Sequence, residues 1–260
     1  MTTPTRRLRP LAAATLLGVA ALLLPACGST IPRTLTFQTP APEVGVPAVD
    51  VVNNKGGVKI VADGKYDTVT VTANVHVIEE IPEKDRAAVA DEVRLFANME
   101  TDGPRPVLRV RSESPRPDAE DHTVDVLITM PALAGAQVRN RGGQVIIEGI
   151  AGALQVENTG GGIEVRTPNR IDEPVALVTD KGNVYFQMPL ESAGRFELRS
   201  ADGEATFDSP ITAVVDVYSQ PGLWRGVVND GVNPIVMRTE KGEVRAYIMK
   251  EPMNYVRFFK

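Results

Sequence analysis

Cys27 is the only cysteine of the 260-residue chain, and its surroundings suit covalent modification. A thiolate is a strong nucleophile, so a lone thiol at an exposed chain end is chemically distinctive. Ahead of it stand Arg6, Arg7 and Arg9 with no acid, then Leu11 to Leu24, 14 residues drawn only from Leu, Ala, Val, Gly and Thr. Pro25 and Ala26 follow. A basic stretch, a short apolar run and a small residue before the cut make a secretory signal. The run is too short to span a bilayer as a helix, which takes about 20 residues. A cut before Cys27 would leave its sulfur at the new N-terminus.

The other reactive side chains do not converge in the sequence. His76 and His122 are the only histidines, and neither has a second His or a Cys at the spacing zinc requires. His76 alternates out of phase with Val75 and Val77, which places it in solvent. Asp118-Ala119-Glu120-Asp121-His122 gathers acids but lacks the glycine and ligand spacing of a calcium loop. Gly160-Gly161-Gly162 is followed by neither a lysine nor a helix and reads as a turn, not a phosphate cradle. No nucleophile elbow is present. The expectation is therefore a non-enzymatic chain with no metal, no cofactor and no catalytic residue.

A cysteine directly after such a cut resembles the lipobox of bacterial lipoproteins, with Pro25 standing where that pattern has a small or β-branched residue. The resemblance implies a diacylglyceryl thioether on Cys27 and an acylated amino group. Several acyl chains, each gaining about 0.8 kcal/mol per buried methylene, would hold the chain to a bilayer. The expected location is a cell membrane or outer membrane, facing periplasm or exterior. Losing residues 1–26 removes three arginines and takes the formal charge from −5 to −8. An acidic body argues against nucleic acid as a partner. One cysteine allows no internal disulfide, so packing must supply stability.

The elements that would follow this anchor are set by a recurring register: apolar, x, apolar, x, Asn/Thr/Ser, x, x, Gly, x, apolar, x, apolar. It begins at Val49, Ala136, Leu154, Val175, Phe196, Val215 and Ile235, and from Ala136 onward the copies start 18, 21, 21, 19 and 20 residues apart. Alternation puts one face of a short strand inward. The polar residue and the glycine mark a turn. Each copy thus reads strand, turn, strand, and a period near 20 predicts a stack. One inner column would be Val51, Val138, Val156, Leu177, Leu198, Val217 and Met237. The other would be Val58, Val145, Ile163, Val184, Ala205, Trp224 and Val244. The polar positions would form a ladder satisfying turn amides. The fold expected is all-β, mainly a right-handed β-solenoid with one inserted helix. The alternative is a two-sheet β-sandwich of hairpins.

Around this core the chain divides into a signal peptide (1–26), a Cys27-anchored Pro-rich spacer (27–44), a repeat body (45–250) and a C-terminal cap (251–260). Within the body, 61–135 reads as an insertion with a helix near 82–99, its Val89, Val93 and Phe96 on one face. Ser112 to Asp121 reads as an exposed loop. Tyr247, Tyr255, Phe258 and Phe259 are expected to cover the last rung, because an open stack exposes strand edges. Trp224 sits at an inward position; were it to point outward, it would be the candidate for a sugar or protein contact. The outward positions Arg139, Glu157, Tyr185, Glu197, Asp216 and Arg245 read as a scattered, solvated surface.

Three stretches carry a resemblance to an adhesin-type family of the bacterial envelope, a widespread domain of unknown function. They are Val49 to Val77 with Asn54-Lys55-Gly56-Gly57-Val58, the strand Val124 to Pro131, and the glycine repeats from Ala136 onward. The resemblance covers roughly 45–250 and implies a β-solenoid-like surface domain without catalytic residues. Three functions stay open at this point: an envelope binding or structural module for an unknown envelope protein or glycan, a polysaccharide-acting enzyme on the same scaffold, and an accessory or sensor lipoprotein.

Overall fold

A computed structural model describes residues 33–115, 120–210 and 213–254. Cys27 and the signal segment lie outside the described residues, as do Asp118, Ala119, Tyr255, Phe258 and Phe259. The fold is mainly β, with one helix and two open mixed sheets. Seven rungs make up the body. In chain order they are β2 (Ala48–Asn53) with β3 (Val58–Ala62), β6 (Val107–Glu113) with β7 (His122–Met130), β8 (Ala136–Asn140) with β9 (Val145–Glu148), β10 (Leu154–Asn158) with β11 (Ile163–Arg166), β12 (Val175–Lys181) with β13 (Val184–Met188), β14 (Gly194–Asp202) with β15 (Ala205–Asp208), and β18 (Pro234–Lys241) with β19 (Val244–Ile248). The first strand of each rung joins a ten-stranded sheet and the second a nine-stranded sheet. Neighbouring rungs pair in parallel without a register slip, so Val51 faces Val138, Val138 faces Val156 and Val156 faces Leu177.

That register explains the packing. Val51, Val138, Val156, Leu177, Met237 and Leu198 are all fully buried in one column. Val126, Val58, Val145, Ile163, Val184 and Val244 form the facing column. Burying each such side chain is worth roughly 2 kcal/mol relative to exposure. Side chains of both sheets meet in a single core.

The spatial order departs from the chain order at both ends: β2 and β3 lie between the rung of β6 and β7 and that of β8 and β9, and the last rung is displaced at the other end. The ten-stranded sheet runs β12, β18, β14, so Met237 lies between Leu177 and Leu198. The copy that begins at Val215 is not a rung. Its strands β16 (Val214–Gln220) and β17 (Leu223–Val228) form an antiparallel hairpin closing the ten-stranded sheet against β14. Val217 is therefore exposed rather than inward, with a register shift between Val215 and Tyr218 and Asp216 at φ 54°. Trp224 belongs to the ten-stranded sheet opposite Leu198, not to the column of Val58 and Val244. It stacks on Phe207 with centroids 4.4 Å apart at 11°, edge-on to Phe196. This aromatic trio packs at the end where the C-terminal aromatics are expected. Tyr247 instead lies inside the nine-stranded sheet, between Gln187 and Asp208.

The stretch 61–135 is not an excursion from the stack. Its strands β6 and β7 are a full rung beside β2 and β3. Leu108, Val110 and Ser112 take the places of Val49, Val51 and Asn53. Two further strands extend the sheets: β4 (Thr68–Val77) pairs antiparallel with β7, and β5 (Arg94–Glu100) with β6. The helix α1 (Glu83–Glu92) is shorter than the spacing predicts, because Arg94 to Glu100 is a strand. Sheet pairing with β6 overrides the helical register there, and Phe96 ends up exposed while Val89 and Val93 are buried. The expected spacer is corrected too. Arg33–Pro40 forms β1, an edge strand antiparallel to β4, with Leu35 and Phe37 packed on the core. Its period-two alternation outweighs its proline, which sits at the strand end where no ladder bond is lost.

Candidate binding face

Because the rungs pair in register, outward positions form straight rows across the ten-stranded sheet. One row reads Arg109, Asp50, Gln137, Gln155, Ala176, Val236, Glu197, Arg225, each residue paired with the next on the adjoining strand. Its centre is small or neutral and its two ends are charged. Gly135, Ala153, Pro174 and Pro234 lie alongside it. Two shallow grooves, of about 560 and 410 Å³, follow the row and share Pro234 and Val236. Eight strands at ~4.8 Å spacing give the row a length of about 34 Å.

The next row reads Arg111, Val52, Arg139, Glu157, Val178, Arg238, Arg199. The two rows together hold six arginines against Asp50, Glu157 and Glu197, in a chain whose net charge is −5. Asp216 borders the smaller groove, and Asp180 lies beside Glu157 and Val178 of the second row. Arg109 and Arg111 bind Asp50 Oδ2 at 2.9 and 2.7 Å. Arg225 and Arg238 bind Glu197 at 3.0 and 2.7 Å. Arg139 and Arg199 have no ion-pair partner among the described residues. Asp50 is 7% exposed, and its Oδ1 is buried without a hydrogen-bond partner.

Ion pairing fixes the charge state of the best-placed acid. Burial pushes the Glu197 carboxyl up, but the hydrogen bonds and charges of Arg238 and Arg225 outweigh it and leave the group below its usual 4.5. A carboxylate held ionised is poorly suited to donate a proton as a general acid. Asp50 is likewise clasped by two guanidinium groups.

Of the outward positions named from the sequence, Arg139, Glu157 and Glu197 share this face, and Asp216 stands at its edge on β16. Tyr185 and Arg245 lie on the other sheet. There Tyr185 is buried and bonded to Glu243, and the Arg245 guanidinium, lowered by burial, is raised on balance by Tyr247 and Glu243. Trp224 is buried, which makes it a packing residue rather than a surface contact. His76 contacts Asp125 at 3.3 Å, and His122 Nδ1 lies 2.6 Å from Asp121 Oδ1. Ser112, Asp121 and His122 are buried, unlike the exposed loop expected, because Ser112 and His122 belong to β6 and β7 and Asp121 is bonded to His122. Among the described residues no group of three or more His, Cys, Asp or Glu could hold a metal, and no helix is long and apolar enough to cross a membrane. Sequence reasoning misses the row of Asp50 and Glu197. Its members are visible there as outward positions, but their adjacency depends on rung order.

No protein-family model matches the sequence, and no curated protein sequence matches it. The fold does have solved counterparts. A "putative cell adhesion protein" from Clostridium sporogenes is similar over 84% of this chain and 100% of its own, at TM-score 0.54 and 9% identity. A "putative adhesin" from Bacteroides fragilis covers 84% of this chain and 97% of its own, at TM-score 0.34 and 12% identity. The chain thus shares its fold with the Clostridium sporogenes protein.

Proposed function

We propose that this chain is a lipid-anchored lipoprotein of the bacterial cell envelope that works as a non-enzymatic binding module. The observation that carries the reading is the continuous, small-floored row on the ten-stranded sheet, whose flanking carboxylates Asp50 and Glu197 are each held by two arginines. Such a face suits holding a ligand better than cleaving one. The seven parallel rungs read as a right-handed β-solenoid, the hand that parallel crossovers take.

The anchor half of the reading rests on the signal pattern and on Cys27. Arg33 follows Cys27 by only six positions, so an extended chain reaches at most about 20 Å. The edge carrying β1, β4 and α1 would then stand near the bilayer. Counting strands from β1 to β15 at ~4.8 Å each, the β16–β17 hairpin end would stand about 40 Å further out. The lipid holds the body, and the stack presents its face along the outward direction. Cells making the Cys27→Ala chain, fed labelled palmitate and fractionated, test this. The expected result is loss of label and release of the chain from membranes. Continued labelling and membrane recovery would refute the anchor.

A further inference from the structure

We propose that the row from Arg109 to Arg225 on the ten-stranded sheet is a binding site for a linear acidic glycan. This rests on reading the chain as a binding module and names the ligand class.

The direction of the groove comes first. It runs across the strands, along the stack, and presents one side chain per strand every ~4.8 Å. A pyranose unit in a linear glycan advances by about that step, so successive sugars meet successive rungs. Ala176, Ala153 and Gly135 leave a floor low enough for a ring to lie flat.

Hydrogen bonding comes next. Arg109 lines the groove beside Asp50 with its side chain 47% exposed, and its guanidinium offers donors to a sugar hydroxyl or carboxylate. Gln137 and Gln155 add amides that both donate and accept, which matches hydroxyl chemistry. Gln155 Nε2 is held by Glu157 at 2.9 Å, which fixes the side chain's direction.

Charge narrows the class. The two rows carry an excess of arginine on an acidic protein, and Arg139 and Arg199 are unpaired among the described residues. Guanidinium groups bind carboxylates bidentately, as the uronic acids of such a polymer would require. An extended peptide fits less well, since peptides add to sheet edges, where backbone groups are free, and not to faces. A single-stranded nucleic acid fits less well too, because Phe196, the aromatic residue lining the groove, is buried in the core and offers bases no ring to stack on.

The test uses the full chain in detergent and isothermal titration with three probes: polygalacturonate, a neutral linear β-glucan and poly-L-glutamate. Binding to polygalacturonate, weaker binding to the other two, and a loss of about ten-fold or more in Ala176→Trp would support the site. Gln155→Ala, a milder change, should weaken binding several-fold and guards against misfolding of the tryptophan variant. No binding to polygalacturonate would overturn the proposal. So would equal binding to poly-L-glutamate, or affinity unchanged in both variants. Membrane release of Cys27→Ala is read separately, so failure of the glycan arm leaves the anchor decidable. Strong binding to poly-L-glutamate alone would keep a binding face and discard the glycan.

Discussion

Asn53 donates from Nδ2 to Oδ1 of Asn140 at 3.1 Å, a buried side-chain bond between residues 87 apart in sequence. Asn140 passes the pattern on, donating to Asn158 Oδ1 at 3.2 Å, and Ser112 donates to Asn53 from the other side. Beyond Asn158 the ladder changes chemistry. Thr179, Thr239 and Ser200 donate to the carbonyls of Gly161, Gly182 and Gly242 at 2.9, 2.8 and 2.6 Å. The spacing of these polar residues predicts a ladder that serves turn amides. In the structure the side chains serve turn carbonyls instead.

Asn140 occupies the middle of this chain of bonds, so its loss leaves the buried Asn158 Oδ1 without its donor, while Asn53 Nδ2 keeps the carbonyl of Val124. Asn140→Ala should destabilise the fold by about 2 kcal/mol, in the range for an orphaned buried polar group. Urea denaturation reads the effect. Asn98→Ala, on the exposed side of β5, should stay within about 0.5 kcal/mol and serves as the reference.

Gly161 has φ +100°, and a Cβ there would sit 2.2 Å from the carbonyl oxygen of Gly143 on the rung below. Both the backbone angle and the close approach reject a side chain. Gly161→Ala should cost more than about 2 kcal/mol, since neither strain can be relieved by a rotamer. Gly64 meets nothing within 4 Å of a built Cβ, so Gly64→Ala should be close to neutral. A thermal melt of the two variants side by side decides it.

Trp224 is the single tryptophan and lies over Phe207, with Gly226 leaving room for its ring, since a Cβ there would come within 2.7 Å of the indole. Trp224→Ala should cost about 3–5 kcal/mol, as for other buried large-to-small changes. In the unaltered chain, tryptophan fluorescence should report the hairpin end alone. A red shift that precedes loss of far-UV dichroism would show that end opening first.

Glu197 couples the binding face to pH. Its carboxyl is depressed in the folded chain, so the stability it brings is present above the usual value of 4.5 and fades as pH falls through the lower folded value. Glu197→Gln should be less stable than the parent at pH 7 by no more than about 1 kcal/mol, the scale of partly exposed ion pairs. Once the pH has fallen below the folded value the two should converge. Denaturant curves at both pH values measure the difference.

Much of the rung architecture is legible in sequence, because the alternation in strands such as Ala136–Asn140 and the glycine after each turn are both local signals. The rung of Leu108, Val110 and Ser112 escapes, since its turn to β7 is lengthened and the glycine is missing. β1 escapes because four nearby prolines suggest a spacer while Leu35 and Phe37 quietly alternate. The position of Met237 between Leu177 and Leu198 is not readable at all: the copies are alike, so nothing in their residues says which will be neighbours. For the same reason the binding row is invisible in the sequence. Asp50 and Glu197 can be marked as outward from their own strands, but the row exists only once the strands are ordered.

The placement of β18 between β12 and β14 has a consequence for biosynthesis. Residues 194–228 leave the ribosome before the strand they dock on has been made. Until Lys241 has emerged β14 lacks its parallel neighbour, and until Ile248 has emerged β15 and its Phe207 lack theirs. The last repeat therefore acts as a keystone, and completion of the far end waits until β18 and β19 have been made. A chain terminated before Pro234 should lose two repeats rather than one, although only one has been removed.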